Sequence, residues 1–196
     1  MIYIVRHGQT NMNKAHVMQG RSEHPLNAEG ERQAAEVGRL MREKGVSFAR
    51  VYSSPLGRAQ ATARLMSGTD DIVTDERLIE MDYGPYEGTK LEKLPPELKA
   101  FFKDFVNTPA PEGMEPLAAV TARMGSFLEQ IKELAKEGDI LIATHALAMK
   151  GALEYLTPES RGGYWSKYIG NCAVYAAEIV DGEYGVPVEV SFGEMP

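Results

Sequence analysis

Two arginines and two histidines stand at the ends of apolar stretches in this sequence. Arg6 and His7 directly follow the first apolar stretch. Arg58 lies a few residues beyond a second stretch, and Thr144 and His145 directly follow a third. A planar guanidinium binds two phosphate oxygens at once, and an imidazole can act as a nucleophile or transfer a proton near neutral pH. Together these side chains predict a site for a tetrahedral dianion.

The elements that position these residues can be predicted from apolar patterns, caps and helix breakers. Short apolar runs predict buried strands, and amphipathic stretches predict helices. Asn27 has the residue type of a helix N-cap with Gly45 as the stop, and Ser54-Pro55 is typical of an N-cap and first helical position. The predicted strands are 1–5, 51–53, 72–73, 140–143, 173–180 and 186–192, and the predicted helices are 28–44, 55–66, 96–106, 115–137 and 147–156.

This order of elements indicates one α/β domain over residues 1–196. Strands that alternate with helices predict a three-layer sandwich, in which helices flank a mainly parallel central sheet. Groups that follow parallel strands meet beyond the carboxyl ends of those strands, so we expect the arginines and histidines at one edge. The irregular stretch 78–113 is interpreted as a cap that sets substrate specificity. Its Phe101, Phe102 and Phe105 are spaced like one helix face, which favours a place in the core over the roof of a pocket.

Composition and charge limit the class of partner. The net charge of −7 argues against nucleic acid, because binding to a phosphate backbone relies on a basic face, but it allows a small anionic substrate. The single cysteine, Cys172, fits a reducing compartment and is interpreted as a small buried apolar residue. His16 and His24 lack further ligands at regular spacing, so no metal site and no cofactor are expected. The oligomeric state cannot be read, and a homodimer is compatible with the sequence.

The first apolar stretch, residues 1–5, is too short for the core of a signal peptide or for a membrane span. We therefore expect a cytoplasmic protein without a membrane partner.

Several blocks of residues follow one another in a fixed order along nearly the whole chain. The blocks are Val5-Arg6-His7-Gly8-Gln9-Thr10 with Asn13, Gln19-Gly20, Pro25-Leu26-Asn27 with Gly30, Tyr52-Ser53-Ser54-Pro55-Leu56-Gly57-Arg58-Ala59, Arg77-Leu78 with Glu80, Tyr83-Gly84, Glu87-Gly88 and Thr144-His145. In this order they make the sequence resemble the histidine phosphatase superfamily, the phosphoglycerate-mutase-like proteins. A lone Arg-His-Gly triplet would be a weak signal, whereas the ordered set is specific.

The resemblance implies a role for each catalytic candidate. His7 would attack phosphorus and form a phosphohistidine, and nearby positive charge would help to keep its ring neutral. Arg6, Arg58 and His145 would stabilise the charge on the phosphoryl oxygens. The substrate-binding residues would be Asn13, Gln19, Gly20 and Ala146.

Glu80 matches the general acid of the family, which protonates the leaving oxygen and then activates water. Neighbouring arginines favour the ionised carboxylate, and a bound phosphate dianion favours the protonated one. We therefore expect the proton on Glu80 mainly in the substrate complex. Asp82 is the first alternative for this role, and Glu87 is a weaker one.

Two positions depart from the family pattern. Ala146 stands where a glycine usually follows the second histidine, and its N–H can serve only if the residue avoids a positive φ. Gln9 stands where glutamate is common. Neither change removes a catalytic group.

The same residues are compatible with more than one activity. A mutase must hold a second anionic group of its substrate, and family mutases supply added basic residues in a longer insertion. The segment from Leu78 to Ala122 has no arginine and only four lysines, which are Lys90, Lys93, Lys99 and Lys103. We therefore expect a histidine acid phosphatase-type phosphomonoesterase, with phosphoglycerate mutase-type transfer or a non-catalytic relative that binds a phosphorylated ligand as the alternatives. The ester itself cannot be read from the sequence.

Overall fold

The computed structural model describes residues 1–192 of the 196 in the chain. Its strands are β1 Ile2–Arg6, β2 Phe48–Ser53, β3 Val73–Thr74, β4 Asp139–Thr144, β5 Val174–Ala177, β6 Ile179–Val180, β7 Glu183–Tyr184 and β8 Val188–Val190. Its α-helices are α1 Asn11–Lys14, α2 Ala28–Glu43, α3 Gly57–Ser67, α4 Pro96–Lys103, α5 Leu117–Ile131 and α6 Ala146–Leu156. Short 3₁₀ helices are formed by Glu76–Leu78, Gly84–Tyr86, Leu91–Lys93, Lys132–Lys136 and Pro158–Ser160.

Six of the strands form the central sheet in the order β3-β2-β4-β1-β5-β8. The pairs β3/β2, β2/β4 and β4/β1 are parallel, whereas β1/β5 and β5/β8 are antiparallel. This confirms the predicted α/β fold with a mainly parallel sheet.

The residues of β1 show how helices come to cover both faces of the sheet. Side chains alternate along a strand, so Ile2 and Ile4 lie on one face, and Tyr3 and Val5 lie on the other. Ile2 and Ile4 belong to the core formed with α5 and α6, and Tyr3 and Val5 belong to a second core formed with α2 and α3. Two helical layers around one sheet give the predicted sandwich.

Of the two predicted helix N-caps, one is present in the structure and the other is not. Asn27 caps α2 as predicted, because its side chain accepts the N–H of Gly30 at 2.9 Å. The prediction for Ser54 as a cap was wrong, since α3 begins at Gly57 and has no side-chain cap. The Ser54 hydroxyl instead accepts the N–H of Leu56 before α3 begins and makes a tertiary contact with His145 Nε2 at 2.7 Å.

Other differences lie at the ends of elements. A short helix, α1, interrupts the loop predicted before residue 27, and a capping box from Thr10 stabilises its first turn. The predicted helix 115–137 is α as far as Ile131 and then 3₁₀. The two predicted tail strands are four shorter ones, with β6 and β7 as a hairpin around Asp181-Gly182.

Two further observations bear on the composition arguments. Cys172 is buried, as expected for a small apolar residue, and burial raises the pKa of its thiol to about 12. None of the helices formed within residues 1–192 combines the length and apolar character needed to cross a bilayer.

Candidate active site

The predicted meeting of strand ends is present in the structure. Strands β2, β4 and β1 are adjacent, and Arg6 is in register with Thr144. The N–H of His7 donates to the carbonyl oxygen of Thr144 at 3.0 Å, and the rings of His7 and His145 are 5.1 Å apart between centroids. The parallel register therefore brings both histidines to one edge of the sheet.

A cavity of about 450 Å³ opens at this edge. It is lined by Arg6, His7, Asn13, Val17, Met18, Gln19, Gly20, Arg58, Glu80, Tyr83, Leu91, Leu94, Phe102, Phe105, Ala146, Leu147, Lys150 and Tyr168. We call Arg6, His7 and Arg58 the cationic side of this cavity. We call Leu91, Leu94, Phe102 and Phe105 the apolar side.

The two arginines of the cationic side are held by backbone carbonyl groups. Arg58 donates to the carbonyl oxygens of Gly20 and Ser22, both at 2.7 Å, and Arg6 donates to that of Ile169 at 2.6 Å. Neither arginine forms an ion pair within residues 1–192. Burial lowers the pKa of both guanidinium groups. Since unpaired buried charge is costly, the arrangement suits an anion that completes it.

The ring of His7 is held in one tautomer. Its Nδ1 lies 2.7 Å from the carbonyl oxygen of Gly8, which can only accept, so Nδ1 carries the proton. Burial, with Arg6 and Arg58 close by, holds the pKa of His7 well below its ordinary value of 6.5. The neutral ring therefore presents an unprotonated Nε2.

His145 is fully buried next to His7. Burial and then Arg58 hold its pKa well below the ordinary value, and its Nδ1 has no hydrogen-bond partner within the described part of the chain. The Ser54 hydroxyl accepts the N–H of Leu56, and its own hydrogen can point to His145 Nε2. In that arrangement Nδ1 carries a proton and is an unused donor.

Glu80 is the acidic residue that lines the cavity, and it is only 6% exposed. Its carboxylate accepts the N–H groups of Met81, Leu147 and Ala148 at 2.9, 3.1 and 3.0 Å. Two of these donors belong to the first turn of α6, where the helix dipole also favours negative charge. The carboxylate is therefore fixed in position beside the two arginines.

The alternative acids lie outside the cavity lining. Asp82 accepts the N–H of Gly84 and lies 3.5 Å from the guanidinium of Arg21. Glu87 accepts the backbone N–H of Arg21 at 2.6 Å. Both carboxylates are thus engaged by the Arg21 region.

The loop after β1 depends on two glycines. A Cβ at Gly8 would lie 2.5 Å from the carbonyl oxygen of Gly30, and a Cβ at Gly30 would lie 2.1 Å from that of Gln9. Only glycine permits such a close approach of two backbones, so this contact accounts for both family positions. The Thr62 hydroxyl accepts the N–H of Gly8 at 3.0 Å and fixes the loop to α3.

The predicted substrate-binding residues all line the cavity. The Asn13 side-chain oxygen accepts from Thr10 and from Asn171, and its amide nitrogen has no partner within residues 1–192. Gln19 is held by the Thr10 hydroxyl at 2.9 Å, and the carbonyl of Gly20 holds Arg58.

Ala146 occupies the first position of α6 and keeps a negative φ. The departure from glycine is therefore compatible with the backbone that this position requires. Gln9 accepts from the side chain of Asn27 and is not among the residues that line the cavity.

The aromatic residues of α4 and the turn after it divide between two environments. Phe101 is completely buried in the core, as the sequence favoured. Phe105 also belongs to this core, and Phe102 packs against it, but both side chains line the cavity as well, which was the alternative interpretation. The four lysines of the segment are exposed, and none of them contributes to the cavity lining.

Sequence reasoning missed Lys150 and Asn171. Lys150 lines the cavity although it stands in the middle of α6, where a paired surface charge is the ordinary interpretation. The signal was its setting, since the helix is otherwise nearly all apolar. Asn171 donates to the carbonyl oxygen of His7 at 3.0 Å, and nothing in its local sequence indicates this role.

Residues 1–192 contain no group of three or more histidine, cysteine or acidic side chains close enough to hold a metal ion. His16 is exposed at the rim of the site with φ +54°, and His24 lies 3.2 Å from the hydroxyl of Ser22.

A neutral histidine beside two arginines at the edge of an α/β sheet has the features of a phosphate-binding site. Residues 2–188 match the model of the histidine phosphatase superfamily (branch 1), and the chain belongs to this family.

Individual relatives carry both mutase and phosphatase names. The chain is 35% identical over 154 residues, covering 76% of it and 70% of the relative, to the "Probable phosphoglycerate mutase GpmB" of Yersinia enterocolitica. Among solved structures, YhfR of Bacillus stearothermophilus superposes with a TM-score of 0.83 at 28% identity, covering 97% of this chain and 98% of that one. A mutant phosphoserine phosphatase of Entamoeba histolytica, in complex with phosphoserine, superposes with a TM-score of 0.81 at 25% identity, with coverages of 97% and 94%.

Proposed function

We propose that this protein is a phosphomonoesterase that hydrolyses a small phosphate monoester through a phosphohistidine on His7. The observation that carries the proposal is the state of His7. Its Nδ1 proton is committed to Gly8, which leaves a neutral Nε2 beside Arg6 and Arg58. A nucleophile of this kind splits one difficult displacement into two easier ones.

In the first step, Nε2 of His7 forms a bond to phosphorus while the bond from phosphorus to the ester oxygen breaks. Arg6, Arg58 and the Nδ1–H of His145 stabilise the charge on the three remaining oxygens. Glu80 gives its proton to the departing oxygen, so that an alcohol leaves. In the second step, an oxygen of water forms a bond to phosphorus while the bond from His7 Nε2 to phosphorus breaks, Glu80 takes a proton from that water, and inorganic phosphate is released.

We expect Glu80 to be protonated mainly when the substrate is bound. In the free protein three N–H groups hold the carboxylate, and two arginines lie nearby. A bound dianion offsets those positive charges and favours the protonated acid. The same N–H groups then keep the acid in place for the leaving oxygen.

The segment 78–113 acts as the cap of the site. It supplies Glu80 for the chemistry, and its remaining contributions to the cavity lining are Tyr83 and the four residues of the apolar side. An apolar cap surrounds the leaving group without adding a second cluster of positive charge.

Hydrolysis is favoured over mutase-type transfer because the cap contributes no basic residue to the cavity. Two observations favour the mutase alternative. The Yersinia relative is named a probable phosphoglycerate mutase, and Lys150 is a cation that lines the cavity. A mutase would need 2,3-bisphosphoglycerate and would interconvert phosphoglycerate isomers with little release of phosphate. A non-catalytic relative that binds a phosphorylated ligand would show neither activity.

The experiment is turnover of p-nitrophenyl phosphate in the presence of EDTA. We expect steady release of phosphate by the wild type and a loss of at least about 10⁴-fold in His7→Ala, because the covalent route is gone. Rapid acid-free quenching of the wild type with ³²P-labelled substrate should trap label on His7. His16→Ala removes an exposed histidine and should leave both signals unchanged. An inactive wild type would contradict the proposal, as would a His7→Ala variant that keeps its activity.

A further inference from the structure

We propose that Lys150 is the specificity-determining residue of the cavity and binds a carboxylate on the leaving group of the ester. The inference rests on the proposed phosphatase function and names the substrate class for it. The leaving group would combine an apolar body, which fits the apolar side, with one negative charge placed away from the phosphate.

The ammonium group of Lys150 is buried in the wall of the cavity. The residue is 9% exposed, and its Nζ donates to the carbonyl oxygen of Trp165 at 2.7 Å. Nζ also lies 5.2 Å from the centre of the Phe105 ring, on the apolar side. An ammonium has three donors, and this contact with Trp165 is the one hydrogen bond that residues 1–192 provide. Two donors are therefore left for a ligand.

No carboxylate within residues 1–192 forms an ion pair with Lys150. The natural partner would be Glu154, one turn further along α6. Its carboxylate is occupied by the N–H groups of Gly162 and Tyr164 and by the hydroxyl of Ser160. A buried cation whose nearest helical acid is committed elsewhere is poised to accept an anion from outside.

The charge state of Lys150 suits this role. Burial lowers the pKa of Lys150 to about 8, with Glu80 acting to raise it and Arg6 acting to lower it. His7, Arg58 and the hydroxyls of Tyr83 and Tyr168 are the other titratable or charged groups that line the same cavity. The lysine is thus mostly charged at pH 7 and mostly neutral above pH 9.

A purely structural role is the competing explanation, because Lys150 and Glu154 both hold the loop at residues 160–165. The two roles differ in what they predict for substrates. A loop anchor affects all esters alike, whereas a carboxylate-binding residue affects only esters that carry the second charge.

The test uses matched aromatic esters, 3- and 4-carboxyphenyl phosphate against 3- and 4-carbamoylphenyl phosphate. One of the two carboxyl esters should place its carboxylate closer to Lys150. We expect the kcat/KM of the wild type for that ester to exceed its kcat/KM for the matching carbamoyl ester by about ten- to a hundred-fold, the range for a charge-assisted hydrogen bond. Lys150→Met should lose this preference, because its kcat/KM falls more on the carboxyl esters than on the carbamoyl esters, and Lys150→Arg should restore part of it. The preference of the wild type should also fall between pH 7 and 9. Glu154→Gln loosens the loop but keeps the cation, so it should retain the preference.

Binding to the His7→Ala protein separates this inference from the proposed function, since it needs no turnover. Calorimetry with His7→Ala should show tighter binding of the carboxyl ester than of the carbamoyl ester. With His7→Ala/Lys150→Met, the two esters should bind equally. If the wild type hydrolyses all four esters without preference, or if Lys150→Met keeps the preference, the inference is wrong while the phosphatase proposal stands. If no ester is hydrolysed but the binding preference depends on Lys150, the phosphatase proposal fails and the binding inference stands.

Discussion

The cationic and apolar sides of the cavity are built in different ways. The cationic side comes from the last residue of β1 and from residues that follow β1 and β2, and its groups are fixed by backbone carbonyls at hydrogen-bonding distance. The apolar side comes from a 3₁₀ helix, α4 and the turns around them, and it contacts the cavity through side chains without charge. Directional contacts fix the groups proposed to carry out the chemistry, and we expect the shape of the apolar side to be able to change without disturbing them. We therefore expect separate parts of this molecule to set the reaction type and the choice of substrate.

A substitution of Glu80 tests the proposed acid role without changing the apolar side. In Glu80→Gln we expect kcat/KM to fall by about 10²–10³-fold for an alkyl phosphate and by less than about tenfold for p-nitrophenyl phosphate. The reason is that p-nitrophenolate leaves without a proton, whereas an alkoxide does not. Steady-state assays of both esters measure the difference. Asp82→Asn is the control, and equal losses on both esters in Glu80→Gln would move the acid role to Asp82.

A pair of adjacent phenylalanines separates packing from substrate contact. Phe101→Ala should lower the free energy of unfolding by about 3–5 kcal/mol, because it empties a fully buried site in the core. Urea denaturation measures this change.

Phe102→Ala should cost less stability and reduce kcat/KM for phenyl phosphate by about two- to tenfold, because an aromatic contact with the leaving group is lost. Its kcat/KM for ethyl phosphate should stay unchanged. A loss of the same size on both esters would show that the apolar side also supports the chemistry.

The buried histidines give the smallest expected effect, a pH dependence of stability. The pKa of His7 and that of His145 are held well below 6.5 in the folded state, chiefly by burial, whereas the unfolded chain takes up these protons near pH 6.5. Their contribution to stability is therefore fully present above pH 6.5 and is lost as the pH falls below it. The slope is at most about 1.4 kcal/mol per pH unit for each histidine.

Urea denaturation between pH 7.5 and 5.5 measures that slope. His7→Asn and His145→Asn should each make it shallower. His16→Asn should not change it, because His16 is exposed and lies outside the cationic side. An unchanged slope in both buried variants would contradict the neutral state assigned to these rings.

The sequence by itself determined the fold class, the order of the main elements and the residues of the cationic side. Apolar runs in β1, β2 and β4 are long enough to be identified as strands, and parallel strands necessarily bring the residues after them to one edge. The amino-acid sequence alone is therefore enough to place Arg6, His7 and Arg58 together.

Only the tertiary structure decided what Ser54, Asn171 and Lys150 do. Each of them departs from its ordinary local interpretation because a residue far away in sequence supplies its partner or its burial, as His145 does for Ser54. Propensities and periodicity describe neighbours along the chain, so they cannot contain such contacts. The cationic side could be predicted from the sequence because it lies directly at strand ends. The apolar side could not, because it depends on how a separate segment packs over those strand ends.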